Sequence, residues 1–548
     1  MIHRRSFLSL LGKGAVGTII VPSLFISCRN KVSKIATVAS EKMSHLKSVL
    51  LKGMKPISSD NVELAEGLSY KTLIKWTDPI SDKDTFGCEN DFICFIPLSE
   101  DGNDGLLWVN HEATRPLFVS GYKRGDQRTI EQVQKEMYSV GGSIIRVKKT
   151  NDNWEVVYND PYNRRITAQT ELSINWDTPI MGKTTIIGTH SNCSGGITPW
   201  GTILTCEENY QDYYGETLYD EENNTTHQAS YHQWEDFYNY PTEHYGWVVE
   251  IDPITGNGMK HIALGRFSHE CCTLVELEDK RVVAYSGDDQ NDEFIYKFIS
   301  SKPGSLKEGT LYVANTVEGK WISLDYDSQP LLQKRFKNQT EVLIRVREAA
   351  ELLGATPQDR PEDIEIDPLT GHVIISLTNN KPKNRFHGCI LKIVEANNQY
   401  DSLNFSVEIM FAGGPESGFS SPDNLAFDLA GNLWFTTDVS GRSMNNPEKK
   451  EYFDFKNNGV FVVIRHGDEA GKIIQIASAP MDAEFTGPWF SPDYKTLFLS
   501  VQHPGSLTRS LNQLTSTWPH DADGIPKSAV ITIQGDLLEK LNYLDTLI

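Results

Sequence analysis

One unit recurs six times along this chain of 548 residues: a polar or acidic cluster, an apolar strand, a turn, a second strand and a further polar cluster. Short apolar runs bounded by Asp, Gly and Pro turns are typical of β-hairpins. The six copies span residues 89–112, 192–209, 269–289, 360–380, 422–438 and 484–504. A hairpin repeated along one chain indicates a closed repeat architecture.

The geometry of a hairpin predicts where the polar clusters lie. The start of the first strand and the end of the second strand meet at the same end of an antiparallel pair, so each copy places both clusters on one rim. The strands are nearly all apolar, as expected when both faces are buried between blades. We therefore predict an all-β, six-bladed β-propeller whose polar clusters surround the mouth of one channel.

The copies are separated by roughly sixty to a hundred residues, more than the forty to fifty of a usual propeller repeat. The excess predicts insertions at residues 210–245, 332–354 and 440–458, of which the second has helical periodicity. We expect one propeller domain over residues 61–548.

Carboxylates recur among the clusters, and bunched carboxylates repel one another unless cations lie between them. Their hard oxygen ligands suit Ca²⁺, Mg²⁺, Mn²⁺ or Fe³⁺. At any one hairpin end an acidic residue is ordinary turn chemistry, but recurrence at the same end of several hairpins favours a metal site. The candidate ligands are Glu112, Glu208, Glu270, Asp289, Glu362, Asp423 and Glu484.

Cys193 lies among small residues, in Ser191-Asn192-Cys193-Ser194-Gly195-Gly196, which we expect to form a flexible turn that approaches a ligand. A thiolate among carboxylates would select a transition metal over calcium. The alternative is a buried structural cysteine, the interpretation that we adopt for most of the eight cysteines. Ser194 lacks a G-x-S-x-G elbow, which argues against a serine hydrolase.

Arg360 stands two residues before Glu362, with Pro361 stiffening the link. A guanidinium beside metal ions is suited to clamp a phosphoryl group. The alternative is a salt bridge between Arg360 and a neighbouring carboxylate.

The net charge is −21, from 52 Lys and Arg against 73 Asp and Glu. This balance argues against nucleic acid or an anionic membrane surface as the main partner. It would also repel a phosphate substrate unless bound cations reverse the local field.

The first 28 residues are typical of an export signal. Arg4-Arg5-Ser6-Phe7-Leu8 is similar to a twin-arginine motif, and the apolar stretch after it is too interrupted for a transmembrane helix. Leu24-Phe25-Ile26-Ser27-Cys28 resembles a lipobox, so we expect lipidation at Cys28; the alternative is a simple cleaved signal. Residues 29–60 are predicted to form a polar tether. The chain is expected in the periplasm or anchored to a membrane as a lipoprotein.

Several motifs occur in a characteristic order: Trp76-Thr77-Asp78-Pro79-Ile80, Trp108-Val109-Asn110-His111-Glu112, Asn163-Arg164-Arg165, Asn192-Cys193, Cys206-Glu207-Glu208-Asn209, His269-Glu270, Ser286-Gly287-Asp288-Asp289, Asp359-Arg360-Pro361-Glu362 and Val501-Gln502-His503-Pro504-Gly505. This series resembles the PhoX-type alkaline phosphatases over roughly residues 60–510.

The resemblance implies hydrolysis of small phosphate monoesters at a mixed iron and calcium cluster, Fe³⁺ with Ca²⁺. It implies Cys193 as a metal ligand, Arg360 as the phosphate-contacting residue, and Glu208, Glu270, Asp289 and Glu362 as metal-binding acids. We assign catalytic roles to Arg360 and Cys193, expect Asn192 to contact the substrate with Arg360, and expect a monomer. Two alternatives stay open: a calcium-dependent propeller hydrolase such as a lactonase, and a non-catalytic surface lipoprotein.

Overall fold

The computed structural model describes Leu46 and residues 49–542, so the predicted signal segment and Cys28 lie outside the described residues. A compact unit begins at Lys52. Residues 52–60 of the predicted tether lie against later strands: the Met54 amide donates to the Gln475 carbonyl at 2.8 Å, and the Asn457 amide donates to the Ser59 carbonyl at 2.8 Å. None of the described helices is both long and apolar enough to cross a membrane.

The first two strands, β1 (Glu63–Leu64) and β2 (Ser69–Lys75), pair with strands from the far end of the chain. The next strands form blade one: β3 (Asn90–Pro97), β4 (Asp104–His111), β5 (Gly141–Thr150), β6 (Asn153–Val156) and β7 (Arg164–Ile166). Two helices interrupt this blade, α1 (Pro116–Val119) and α2 (Ile130–Ser139).

Blade two has the sheet order β10-β11-β14-β15-β8-β9. Its strands are β8 (Glu171–Ile174), β9 (Thr185–Ile187), β10 (Asn192–Ile197), β11 (Ile203–Glu207), β14 (Val248–Ile251) and β15 (Gly258–His261). The predicted insertion at residues 210–245 is present; it contains α3 (Gln211–Tyr214) and a separate hairpin of β12 (Glu216–Tyr219) and β13 (Thr225–Gln228).

Blade three runs in chain order through β16 (Thr273–Glu276), β17 (Val282–Gly287), β18 (Ile295–Ser300), β19 (Gly309–Asn315) and β20 (Lys320–Ser323). The predicted helical insertion is confirmed and consists of α4 (Pro330–Arg335), α5 (Gln339–Ile344) and α6 (Val346–Leu352). Its apolar side chains, such as Val342 and Val346, are fully buried in the core that also contains Phe267 and Tyr296. Burial of the apolar face stabilises these short helices, which would be marginal alone.

Blades four and five each have four consecutive strands and blade six has three, with β1 added at the edge of blade five and β2 at the edge of blade six. Blade four contains β21 (Pro361–Ile366), β22 (Val373–Leu377), β23 (Cys389–Glu395) and β24 (Phe405–Ala412). Blade five contains β25 (Pro422–Phe427), β26 (Leu433–Thr437), β27 (Gly459–Val463) and β28 (Ile473–Ser478). Blade six contains β29 (Glu484–Phe490), β30 (Leu497–Gln502), β31 (Ala529–Gln534) and, at its outer edge, β2. A final helix, α7 (Asp536–Leu541), follows.

The first strands of the six blades, β3, β10, β16, β21, β25 and β29, contact one another in order, and β29 contacts β3. The six-bladed β-propeller is therefore confirmed as a closed ring. Because β2 comes from the start of the described chain and pairs with β31, blade six joins both ends of the fold. The blades pack through buried apolar side chains, such as Trp108 and Leu106 of blade one against Ile203 and Val249 of blade two. All six predicted hairpins form the innermost strand pairs.

The described cysteines are free, and five of seven are buried, which agrees with their reading as small apolar residues.

Candidate active site

Two sequence positions recur at the polar end of the hairpins. In each hairpin the last pair of facing residues at the open end is called the terminal pair; in blade one it is Asn90 with His111. The first position is the residue that follows the terminal pair on the first strand. In blades one to five it is Asp91, Cys193, Glu270, Glu362 and Asp423. The second is the residue after the terminal pair on the second strand, and it is Glu112, Glu208, Asp289, Thr378, Asp438 and His503 in blades one to six. Blade six differs, because Glu484 is itself in the terminal pair, opposite Gln502.

A backbone irregularity recurs at the first position. In blades one, two, four and five the pairing register slips within the three residues after the terminal pair. A β-bulge of this kind re-aims a side chain and is frequent beside active sites. In the same four blades the residue before the first strand has a positive φ: 48° at Glu89, 53° at Ser191, 58° at Arg360 and 56° at Ser421. Such strained residues cluster at functional sites.

The expectation of a flexible turn around Cys193 is wrong, because Cys193 lies inside β10. The two glycines after it are required by close packing between strands. A Cβ on Gly195 would lie 2.2 Å from the Leu204 carbonyl oxygen, and one on Gly196 would lie 2.2 Å from the Cys272 carbonyl oxygen. The strand is thus held firmly, with Cys193 at its mouth end.

Seven of the eight candidate ligand side chains, Cys193 included, form three overlapping groups, and Glu484 lies outside them. The groups are Glu112 with Cys193 and Glu208, Glu208 with Glu270 and Asp289, and Glu270 with Glu362 and Asp423. In each group one ligand atom from every residue lies within 4.8 Å of the others. Glu208 and Glu270 are each shared by two groups, so the structure offers a chain of adjoining metal sites.

Burial of these carboxyls leaves oxygen atoms without a hydrogen-bond partner among the described residues. They are Asp91 Oδ1, Glu270 Oε2, Asp289 Oδ1 and Glu484 Oε2. Burial raises the pKa of Asp91, Glu208, Glu270, Glu362 and Asp423 well above the usual carboxyl range, and neighbouring carboxylates raise it further. An unpaired buried carboxylate is costly, so this arrangement fits bound cations.

Cys193 adds a soft ligand to the hard set. Its sulfur lies 3.2 Å from Glu270 Oε1 and 3.5 Å from Asp91 Oδ2. Burial and then the nearby carboxylates raise the pKa of the Cys193 thiol, whereas a coordinated metal ion deprotonates a thiol. One thiolate among carboxylates suits a transition metal at the Cys193 end and hard cations elsewhere.

Arg360 lies where two of the metal-binding groups meet. Its Nη2 atom is 2.6 Å from Asp289 Oδ2 and 2.7 Å from Glu362 Oε1, and its Nη1 atom is 3.1 Å from Asp438 Oδ2. Arg360 therefore forms the predicted salt bridges and also lies beside the candidate metal ligands. Asp438 keeps a lowered pKa despite burial, because Arg360 and Lys381 carry positive charge beside it.

Glu484 and Glu112 lie on the side of blades one and six. His503 Nε2 is 2.8 Å from Glu484 Oε1. Burial alone would lower the pKa of His503, but the Glu484 carboxylate outweighs it and raises the value to about 10. Gln502 Nε2 donates to Glu112 Oε2 at 2.5 Å. Glu484 is thus held by an imidazole and is not part of the three groups.

Asn192 does not face the mouth. It is fully buried, and its amide donates to the hydroxyls of Thr189 at 2.8 Å and Thr205 at 2.9 Å. The Cys193 side chain, by contrast, lies beside the carboxylates of Glu270 and Asp91. The structure shows Asn192 fixing β10 through these two hydrogen bonds, and its contact with substrate stays a prediction.

Sequence reasoning did not single out Asp91, Asp438 or His503 as site residues. All three occupy the same repeat positions as candidate ligands in other blades. Aligning the hairpins by their terminal pairs would have found them.

A six-bladed propeller whose mouth gathers carboxylates, one cysteine and an arginine fits the class of metal-dependent hydrolases that act on phosphate esters. The family model described as Alkaline phosphatase PhoX matches residues 49–505, and the chain belongs to this family. It is a metal-dependent alkaline phosphatase that hydrolyses phosphate monoesters.

Solved structures agree with this assignment. The structure of Pseudomonas fluorescens PhoX in complex with vanadate, a transition state analogue, is 30% identical and matches with a TM-score of 0.78. The match covers 88% of this chain and 98% of that one.

Two further structures match at TM-scores too low to bear on fold or activity. A protein of unknown function from Dyadobacter fermentans is 10% identical, with a TM-score of 0.37, covering 86% of this chain and 100% of that one. A gluconolactonase from Xanthomonas campestris is 9% identical, with a TM-score of 0.30, covering 82% and 97%. No curated protein matches the sequence.

Proposed function

We propose that this phosphatase uses a mixed iron and calcium cluster at the propeller mouth and acts outside the cytoplasm. The observation that carries the proposal is the chain of three overlapping ligand groups with Cys193 at one end and Arg360 between the other two. Oxygen ligands at most positions suit Ca²⁺, and the single thiolate suits iron.

The metal ligands in this proposal divide by position. Cys193, Glu112 and Glu208 would hold iron, while the groups that share Glu270 would hold calcium. When bound, the metals supply Lewis-acid activation of the phosphoryl group and the attacking water. No side-chain nucleophile is needed.

Arg360 would bind the phosphoryl oxygens through its two terminal nitrogens. Asp438, at 3.1 Å from Nη1, orients the guanidinium and balances its charge. A fixed planar fork matches two phosphoryl oxygens at once, and its charge is worth most where phosphoryl charge develops in the transition state. Asn192 acts at a distance in this account, by holding the strand that carries Cys193.

For location, we propose export by the twin-arginine route, with Cys28 as a lipid anchor. The support is the sequence of residues 1–28, which lies outside the described residues. We also propose a monomer, because β2 completes blade six from within the chain.

The test is an assay with p-nitrophenyl phosphate and a simple lactone, before and after chelation with EGTA. We expect phosphate release that chelation abolishes and added Ca²⁺ restores, with no lactone cleavage. Lactone cleavage without phosphate release, or no turnover of either substrate by metal-loaded protein, would contradict the proposal.

A further inference from the structure

The mouth is not equally acidic on all sides. Two segments flank it between blades four and five, residues 381–388 and 440–458. Together they contain seven Lys and Arg side chains against three Asp and Glu, in a chain whose net charge is −21. An anion that approaches the mouth is therefore attracted to this flank.

Lys381 differs from the two other cations of residues 381–388. Lys383 forms an ion pair with Asp292, and Arg385 Nη2 lies 2.6 Å from Asp359 Oδ1. Lys381 is half-buried, and among the described residues it makes no ion pair; its ammonium is 3.4 Å from Ser440 Oγ and 5.4 Å from the centre of the Tyr452 ring.

This ammonium has lost part of its hydration without forming a direct ion pair within the described part of the chain. Burial lowers the pKa of Lys381, and the nearby Asp438 carboxylate partly counteracts that shift. An incoming anion would stabilise a partly desolvated cation of this kind, because charge-assisted hydrogen bonds are stronger than neutral ones.

The position of Lys381 relative to Arg360 indicates which part of a substrate it reaches. Arg360 contacts Asp438, whereas Lys381 contacts Ser440, two residues farther along the same segment. Tyr452 is 1% exposed and donates its hydroxyl hydrogen to the Phe386 carbonyl at 3.0 Å, which fastens residues 440–458 to residues 381–388. Lys381 is therefore held in place beside the Arg360–Asp438 pair, on the side of Ser440.

We infer that Lys381 binds a second anionic group on the alcohol part of the substrate. The enzyme then favours phosphate monoesters whose leaving group carries a carboxylate or another phosphate. The reaction is unchanged: water cleaves the ester bond to give inorganic phosphate and the anionic alcohol. This inference rests on the proposed function, because it places the phosphoryl group at Arg360.

The test compares 3-phosphoglycerate with glycerol 3-phosphate, which differ by a carboxylate in place of a hydroxymethyl group. In Lys381→Met we expect KM for 3-phosphoglycerate to rise about tenfold, the worth of one charge-assisted contact. We expect kcat for both substrates, and KM for glycerol 3-phosphate, to stay within about twofold. Lys381→Arg should keep the preference, and Lys383→Met, from the same turn but already ion-paired, is the matched control.

Added salt supplies a readout that a merely structural role would not move. Because salt screens exposed charges, it should reduce the preference of the wild-type enzyme for 3-phosphoglycerate over glycerol 3-phosphate. The ratio of the two KM values in Lys381→Met should not change with salt. Equal losses on both substrates would place Lys381 at the phosphoryl group and overturn the inference, as would unchanged kinetics in Lys381→Met. Failure of the wild type to hydrolyse even p-nitrophenyl phosphate would refute the proposed function, and this inference with it.

Discussion

Replacing Arg360 with Ala should abolish most turnover while leaving the metals in place. Arg360 Nη1 and Nη2 lie 2.6 to 3.1 Å from three carboxylates, which hold the guanidinium in place for the phosphoryl contact that we propose. Loss of a preorganised contact to developing charge costs about 3 to 4 kcal/mol, which corresponds to a fall in kcat of about 10² to 10³.

Metal retention follows from the sign of the charge that is removed. Arg360→Ala takes one positive charge away from Asp289 and Glu362, so the site becomes more negative and should bind cations at least as tightly. Arg360→Lys should fall between the wild type and Arg360→Ala, because an ammonium is a point charge and cannot bind two oxygens in the same way.

The assay is p-nitrophenyl phosphate turnover with metal content measured on the same samples. Arg281→Ala is the control: its side chain is 28% exposed, against 22% for Arg360, and it pairs with Asp279 and Asp401 at the turn end of blade three. An Arg360→Ala enzyme with more than about a third of wild-type kcat at full metal content would refute the phosphoryl contact. Metal loss in proportion to activity would show that Arg360 acts by holding the site together.

Three other predictions concern the metals and the stability of the fold. Cys193→Ser should lose iron but keep calcium, whereas Cys389→Ser, another half-buried cysteine, should keep both by elemental analysis. Glu395→Gln should lower the free energy of unfolding by about 3 to 5 kcal/mol in denaturant titration, because it leaves fully buried Lys297 without its carboxylate at 2.8 Å. The control is Glu408→Gln, whose exposed carboxylate pairs with Lys392 and whose loss should change the free energy of unfolding by less than about 1 kcal/mol. Equal effects of the two substitutions would contradict this prediction. Metal-free protein should lose stability as pH rises from 4.5 through 7, since carboxyls with a raised folded-state pKa, one of them about 7, bind protons that the unfolded chain has released. Added Ca²⁺ should remove this slope in thermal unfolding, and a metal-free protein that becomes more stable with rising pH would contradict it.

The hairpins were predictable because their signal is local. Each has two short apolar runs and a turn, and pairing them requires no knowledge of distant residues. The common rim follows from antiparallel geometry, and it correctly brought Glu208, Glu270 and Glu362 together. Fold class and the greater part of the candidate site therefore follow from sequence.

The remaining site residues depend on register, which sequence alone does not fix. Glu89, Asn90 and Asp91 are all polar, and a one-residue slip decides which of them faces the mouth. The bulge after the terminal pair selects Asp91, as it selects Cys193 in blade two. In the same blade Asn192 is fully buried and donates to Thr189 and Thr205, and its contact with substrate stays a prediction.

Contacts between residues of different blades could not be predicted from the sequence either. The pairing of Arg360 in blade four with Asp289 of blade three and Asp438 of blade five depends on how the ring closes. Likewise, Lys381 acquires its place only when residues 440–458 fold beside it.

The most direct test of the account is elemental analysis of purified, folded protein, combined with a p-nitrophenyl phosphate assay on the same sample. We predict iron together with calcium, and phosphate release that disappears when the metals are chelated. Calcium without iron, or phosphate release that survives complete removal of the metals, would contradict it.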